Sequence, residues 1–234
     1  MILSSHVSGT SPQITGDASP ARIPGLVAWY DAAYLNLADG DPVGTFPDLS
    51  GNGSDMTRDT TSQKPIFVAN FNGAPAVYFD GVDDYMQDEL DSNLMGVPPF
   101  TEVINFYNDP AVGSGVFSKF QQLVAPFKVW EFKEASGKLQ ISLEDSSSVL
   151  HTATGSTVMS AGETSIAMTI SAGLVQNAYL NAVLDATQTL SSVLAPNGRL
   201  RLSHSGAGMN KNIRNIMFYD RVLTVSELEY LKNV

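Results

Sequence analysis

Gly73-Ala74-Pro75-Ala76-Val77-Tyr78-Phe79-Asp80-Gly81-Val82-Asp83-Asp84-Tyr85-Met86 is the stretch from which the fold is read. Across Ala76–Asp80 the residues alternate as in a strand packed on one face. Val77 and Phe79 point one way, and Ala76, Tyr78 and Asp80 the other. The strand runs into Gly81 and a turn carrying Asp83 and Asp84, and Tyr85 and Met86 then resume apolar structure. A half-buried strand ending in a tight acidic corner is typical of an antiparallel sandwich, whose loops carry recognition.

The same alternation recurs in both directions. It predicts strands at Ile23–Asp31, Pro65–Ala69, Phe100–Tyr107, Gly115–Phe120, Ser165–Ile170, Gln176–Leu184, Arg199–Ser203 and Ile213–Tyr219. Phe127–Lys133 and Leu139–Leu143 form a hairpin across Ala135-Ser136-Gly137-Lys138. Many short strands separated by Gly, Pro, Asn and Ser argue for two facing antiparallel sheets. One helix is signalled, at the C-terminus. Thr224-Val225-Ser226-Glu227 fits a capping box, Leu223 and Leu228 stand at staple spacing, and Val225, Leu228 and Leu231 recur at helical spacing.

Composition narrows the class. The 234 residues suit one large all-β domain, 43% hydrophobic, with no apolar run long enough to span a membrane. Cysteine is absent, so disulfides and thiolate metal sites are excluded. Acidic residues outnumber basic ones 24 to 13, for a net charge of -11, and no basic cluster in the sequence offers a grip on phosphates. Neither nucleic acid nor a membrane is therefore an expected partner. The N-terminus lacks the basic and apolar regions of a secretory signal. Residues 1–22, rich in Ser, Thr, Pro, Gly and Ala, read as an extended arm that grips a neighbour or lies along its own body. Residues 23–234 read as the domain, with no internal repeat.

Four stretches in order resemble the laminin-G-like, concanavalin A-like family. They are Ile23–Asp31; Asp39–Met56 with Asp48-x-Ser50-Gly51-Asn52-Gly53; Ala74–Met86; and Ile213–Leu231 with Phe218-Tyr219-Asp220-Arg221-x-Leu223. Ala178-Tyr179-Leu180-Asn181-Ala182-Val183-Leu184 is similar to the family's Tyr-x-Asn-Gly strand, with Ala182 where Gly is usual. The resemblance implies an all-β, two-sheet antiparallel jelly-roll with one short C-terminal helix. Family members include glycan-binding modules, domains of secreted enzymes and phage particle components, so fold does not settle function. A lone sandwich behind a Ser/Thr/Pro arm resembles a phage virion protein on a capsid or tail. Residues 1–22 would then bind other virion proteins or copies of the chain, and the loops would contact host glycans. A free carbohydrate-binding module, secreted or on a cell surface, is the alternative.

Catalytic chemistry has little footing in the sequence. Glycosidases of this fold place acids along one strand in a Glu-x-Asp-x-x-Glu-like pattern, and none occurs here. There is no Gly-x-Ser-x-Gly, His6, His151 and His204 stand in unrelated settings, and Gly206-Ala207-Gly208 reads as a turn. The expectation is a protein that is not an enzyme. For a metal, Asp48, Asp80 and Asp83 are the candidate ligands, with Asp84 beside them, and calcium is the ion that suits oxygen donors in loops. Against this, Asp48 and Asn52 can serve their own turn backbone. For glycans, Tyr34 and Tyr85 adjoin polar loops and are the candidate stacking residues, with Asp83 and Asp84 as hydrogen-bond partners. Asn52-Gly53-Ser54 fits a glycosylation acceptor, but an Asn-Gly turn explains it better.

Overall fold

The computed structural model describes residues 19–88, 98–111, 115–122, 129–144, 149–191, 198–203 and 208–234. In chain order the strands are β1 (Leu26–Asp31), β2 (Thr45–Phe46), β3 (Met56–Thr57), β4 (Ile66–Phe71), β5 (Ala74–Asp80), β6 (Met86–Asp88), β7 (Phe100–Asn108) and β8 (Val116–Gln122). They continue as β9 (Val129–Ala135), β10 (Lys138–Glu144), β11 (Leu150–Val158), β12 (Gly162–Ile170), β13 (Val175–Leu180), β14 (Val183–Thr189), β15 (Gly198–Leu202) and β16 (Asn210–Tyr219). Helix α1 (Val225–Leu231) follows. Sheet 1 has the order β14-β13-β12-β7-β16-β5-β4, with β1 also on β16; sheet 2 has the order β11-β10-β9-β8-β15-β6-β3-β2. All the ladder pairings between these strands are antiparallel, and the fold is the expected two-sheet sandwich.

Alternation fills the space between the sheets. Val77, Phe79, Ile104, Phe106, Trp130, Phe132, Ile141 and Ile213 belong to one buried cluster there. A second cluster lies outside sheet 1, where Trp29, Val103, Ala167, Met217 and Tyr219 are covered by Leu223, Leu228 and Leu231. The capping box at Thr224 and Glu227 is present and starts α1 at Val225, which is itself 53% exposed and contributes nothing to the packing.

Several sequence expectations shift. Gln176–Leu184 is not one strand but the hairpin β13–β14. Asn181 (φ 49°) and Ala182 (φ 65°) form its turn, and Asn181 Oδ1 accepts from Ser165 N at 2.9 Å. Asn tolerates the left-handed region, and burial of the Ala182 methyl offsets the strain of the missing Gly. The first strand begins at Leu26, because Gly25 turns at φ 88° and a Cβ there would stand 2.4 Å from Asp220 Oδ1. Strand β11 had no signal, since its Ser, Thr and His residues face solvent along a sheet edge. The last residues assigned to the arm pack on the body. Ser19 N donates to Tyr230 Oη at 2.8 Å, Tyr219 Oη donates to Pro20 O at 3.2 Å, and Pro20–Arg22 is a 3-10 turn. Residues 1–18, including His6, lie outside the described residues. So do residues 127–128 of the Phe127–Lys133 strand, His204, Gly206 and Ala207.

Ionisable side chains sit inside the sandwich, Lys211, Glu134 and Glu102 among them. Lys211 Nζ on β16 meets Glu134 Oε2 on β9 at 3.0 Å, with both side chains under 5% exposed, and donates to Asn108 Oδ1 at 2.7 Å. This pair ties the two sheets together at one end. Glu102 on β7 is completely buried. Its Oε2 accepts from Ser118 Oγ on β8 at 2.8 Å, and its Oε1 has no partner among the described residues. Burial pushes the Glu102 carboxyl up to about 8, against the smaller opposing effect of the Ser118 bond.

The folded state thus keeps a proton that the unfolded chain releases near the ordinary carboxyl value. Stability must therefore fall as pH rises from about 4.5 to 8, and level off above. Glu102→Gln should match the wild type in urea unfolding at pH 5 and exceed it at pH 9. Parallel stability–pH curves for the two proteins would show that this carboxyl does not titrate between folded and unfolded states.

Candidate functional site

The outer face of sheet 1 changes character along its strands. Ala167, Val103, Met217 and Trp29 form an apolar row in register across β12, β7, β16 and β1, and α1 covers it. Two residues further along, the row reads Ser165, Asn105, Asn215 and Asp31, again in register. Alternation puts both rows on the same face. The polar row is the floor of a cleft of about 730 Å³, walled by Asn72–Pro75, Glu163, Asn181, Arg214 and the chain end at Lys232–Val234.

Each wall has a local cause. Ladder register breaks on both sides of Arg214, at β16–β7 and where β5 gives way to β1 along β16. The Arg214 guanidinium serves the β4–β5 turn, donating to Phe71 O at 2.7 Å and Pro75 O at 3.0 Å, and it pairs with Glu163 at 2.7 Å. Asn105 Nδ2 donates to Leu231 O at 2.8 Å and to Asn215 Oδ1 at 2.9 Å, and Asn215 Nδ2 donates to Val234 O at 2.8 Å. The first of these amides takes the last carbonyl of α1, and the second holds the residues that follow the helix. Asp31 Oδ1 accepts from Ala33 N at 2.8 Å, and burial lifts this carboxyl above its ordinary range. Asn105 is 6% exposed, lines the cleft, and has an Oδ1 with no partner among the described residues. A buried acceptor left open costs stability unless a ligand or water supplies the donor.

The sequence candidates fall elsewhere. Tyr34 packs edge-on against Trp29 at 5.6 Å between centroids and does not line the cleft. Tyr85 has Arg58 Cζ 4.0 Å from its ring centroid, so that guanidinium already stacks where a sugar face would lie. Asp80, Asp83 and Asp84 do come together, their carboxylate oxygens within 4.8 Å of one another. Asp80 Oδ1 accepts from Val82 N at 2.8 Å, and Asp84 Oδ2 accepts from Asp80 N at 3.0 Å, which leaves oxygens over for a hard cation. Burial pushes the Asp84 carboxyl up to about 6, with Asp80 and Asp83 adding to the rise.

Asp48 is not part of that group. Its Oδ1 accepts from Trp29 N (3.0 Å) and Ser50 N (2.9 Å), and its Oδ2 from Ser50 Oγ (2.8 Å) and Ser54 N (3.1 Å). Asn52 Nδ2 donates to Val27 O at 3.0 Å. The Asp48–Gly53 motif is therefore a clasp on β1, and both oxygens of its carboxylate are engaged there, away from the acidic corner. The cleft itself escaped notice in the sequence, because its floor comes from four strands far apart in the chain. Isolated Asn and Ser residues on strands were the available signal.

No family model and no curated protein matches this sequence. Solved structures do match in fold. Domain 4 of AbnA, a GH43 extracellular arabinanase from Geobacillus stearothermophilus solved with arabinotriose, superposes with a TM-score of 0.66 at 14% identity, over 89% of this chain and 98% of that one. The binding domain of botulinum neurotoxin serotype D gives 0.66 at 9% identity, and that of Paraclostridial Mosquitocidal Protein 1 gives 0.62 at 15%. This chain spans about half the length of each of those two toxin domains (51% and 52%). At these identities the likeness establishes a shared two-sheet β-sandwich fold.

Asp48→Ala should destabilise the domain by about 2 kcal/mol in urea unfolding, since several backbone donors lose a charged acceptor. It should leave any calcium-induced rise in Tm intact, whereas Asp84→Asn should remove that rise. If millimolar calcium leaves the wild-type Tm unchanged at pH 8, the acidic corner holds no calcium.

Proposed function

We propose that the chain is a non-catalytic glycan-binding domain and that the polar cleft on sheet 1 is its binding site. The open acceptor of Asn105, buried at the floor of a cleft of ligand size, carries this reading. The cleft suits a neutral sugar. Glu163 is paired with Arg214 and Lys232 with Glu229, so what faces the ligand is mainly the amides of Asn72, Asn105, Asn181, Asn215 and Asn233. The solved structure of the arabinanase domain with arabinotriose supports a glycan, because a sandwich of the same outline accommodates one. Among the described residues no aromatic ring lines the cleft, so affinity rests on hydrogen bonds and should be weak, with a Kd of roughly 0.1–1 mM. Against catalysis stand the commitments of its two carboxylates: Glu163 is neutralised by Arg214, and Asp31 caps a turn.

Titration calorimetry against neutral arabino-, xylo- and gluco-oligosaccharides tests the site. Asn105→Leu should abolish binding. Asn72→Gly keeps the positive φ of that turn and removes the rim amide, and it should weaken binding without lowering Tm. Full binding by both variants, or none by the wild type, would defeat the reading.

The setting we propose is a phage virion, with residues 1–18 as the tether to other virion proteins or to copies of the chain. The position of Ser19, next in sequence to that segment, supports this. Ser19 is fixed beside Tyr230 of α1, and none of Ser19–Arg22 lines the cleft, so tethering and ligand binding do not compete. A chain lacking residues 1–18 should fold and bind glycan but fail to enter particles. Normal incorporation would dismiss the tether.

A further inference from the structure

Three side chains able to react with one another meet at one end of the sandwich core. Phe106 on β7 and Ile213 on β16 stand opposite each other, and both belong to the cluster buried between the sheets. Two residues further along, alternation puts Asn108 and Lys211 on the same inner face. Phe132 on β9 faces the same cluster, and Glu134 is the next residue on its side of that strand. Lys211 Nζ lies 2.7 Å from Asn108 Oδ1 and 3.0 Å from Glu134 Oε2. Asn108 is 1% exposed, and the side chains of Lys211 and Glu134 are 1% and 4% exposed. In the adjoining core the rings of Phe106, Phe117 and Phe132 follow one another, with centroids 4.8 and 6.2 Å apart. The site is dry.

The geometry holds an amine against an amide. Asn108 Nδ2 donates to Ser160 O at 3.0 Å and to Met159 O at 3.3 Å, which turns the amide so that its carbonyl faces the lysine. A C=O bond is about 1.2 Å long, so Nζ stands within about 3.9 Å of the amide carbon. Atoms poised to react are ~3–3.5 Å apart, and a shift of about 0.5 Å closes the difference. The Glu134 contact lies outside hydrogen-bond alignment, and Oε2 takes no hydrogen bond among the described residues. A carboxylate with an uncommitted oxygen therefore sits beside the amine. Lysine attacks a carbonyl only as the neutral amine. Away from water, passing the proton to the carboxylate gives a neutral pair that escapes the cost of desolvating two charges. The sequence has no cysteine, so no disulfide can close this fold.

We propose that the folded chain joins Lys211 to Asn108 through an intramolecular isopeptide bond, with Glu134 as the proton carrier. A proton first passes from the Lys211 ammonium to Glu134. The Nζ lone pair then attacks Asn108 Cγ, and Glu134 protonates Oδ1 as the carbonyl electron pair moves onto it. Glu134 next takes the surplus proton from Nζ and delivers it to Nδ2. The Cγ–Nδ2 bond breaks with its electron pair leaving on ammonia, the carbonyl re-forms, and its proton returns to Glu134 and then to the ammonia. The net change is one ammonium side chain and one primary amide to one secondary amide and one ammonium ion. No oxidant or cofactor is consumed. The bond ties β7 to β16, neighbours within sheet 1, and closes the chain between residues 108 and 211 into a loop, which removes entropy from the unfolded state. It is a single turnover on the chain itself and does not rest on the glycan reading.

Mass spectrometry of the purified full chain, denatured, tests it. The wild type should be lighter than its sequence by one ammonia, and a tryptic digest should contain a branched peptide joining the Lys211 and Asn108 segments. The digest separates this bond from succinimide formation at an Asn-Gly pair such as Asn52-Gly53, which sheds the same ammonia without branching. Glu134→Gln should yield only linear peptides, and in denaturing gels it should migrate apart from the looped wild type. Lys211→Arg, which lacks the amine, should also yield no branched peptide. Linear peptides carrying an unmodified Lys211 and Asn108 in the wild type overturn the proposal, and so does a branched peptide in Glu134→Gln. The wild-type digest decides even where a variant fails to fold.

Discussion

Sheet 1 has two faces to cover, and the chain supplies one seven-residue helix for the outer one. At 1.5 Å per residue α1 is about 10 Å long. The ten-residue strand β16 beneath it runs about 33 Å. Helix cover therefore ends partway along the sheet, and the side chains must change where it does. Val103, Ala167 and Met217 are buried beneath α1, and Asn105, Ser165 and Asn215 continue the same face beyond it. The amides at the boundary take the carbonyl of Leu231, which ends the helix, and that of Val234 beyond it. Cleft and helix terminus are one construction, which is why the open acceptor of Asn105 lies at its floor.

Between the sheets the constraint is electrostatic. A protonated Glu102 and the Lys211–Glu134 pair are tolerated for different reasons. The first avoids charge, since desolvating a carboxylate costs more than its single hydrogen bond to Ser118 returns. The second keeps its charges paired, with Asn108 as a further acceptor for the ammonium. Removing one member of that pair would strand the other in the core, so these residues specify how the sheets meet more than they add net stability.

The two outer faces are chemically distinct, and that bears on function. On sheet 1, Glu163 and Arg214 pair within the cleft, Lys232 pairs with Glu229 beside it, and amides line much of the rest. On sheet 2, Arg58 and Arg201 both lie against the ring of Tyr85, in a chain that is otherwise acidic.

Local chemistry was legible without coordinates. Alternation marked the core-facing residues of most strands, Thr224 and Glu227 marked the helix start, and Asp48 with Asn52 marked a turn. These features are decided by neighbours within a few residues. The hairpin at Asn181-Ala182 was missed because Ala stands where a positive φ favours Gly, and β11 because an exposed edge strand has no apolar face. The approach of Asp80, Asp83 and Asp84 was legible, but the cleft was not. A period of two says which face a side chain takes, but the register between distant strands says what stands beside it. Only tertiary pairing aligned Ser165, Asn105, Asn215 and Asp31 into a floor, brought Arg58 and Arg201 onto one ring, and moved Asp48 away from the acidic corner it had been expected to join.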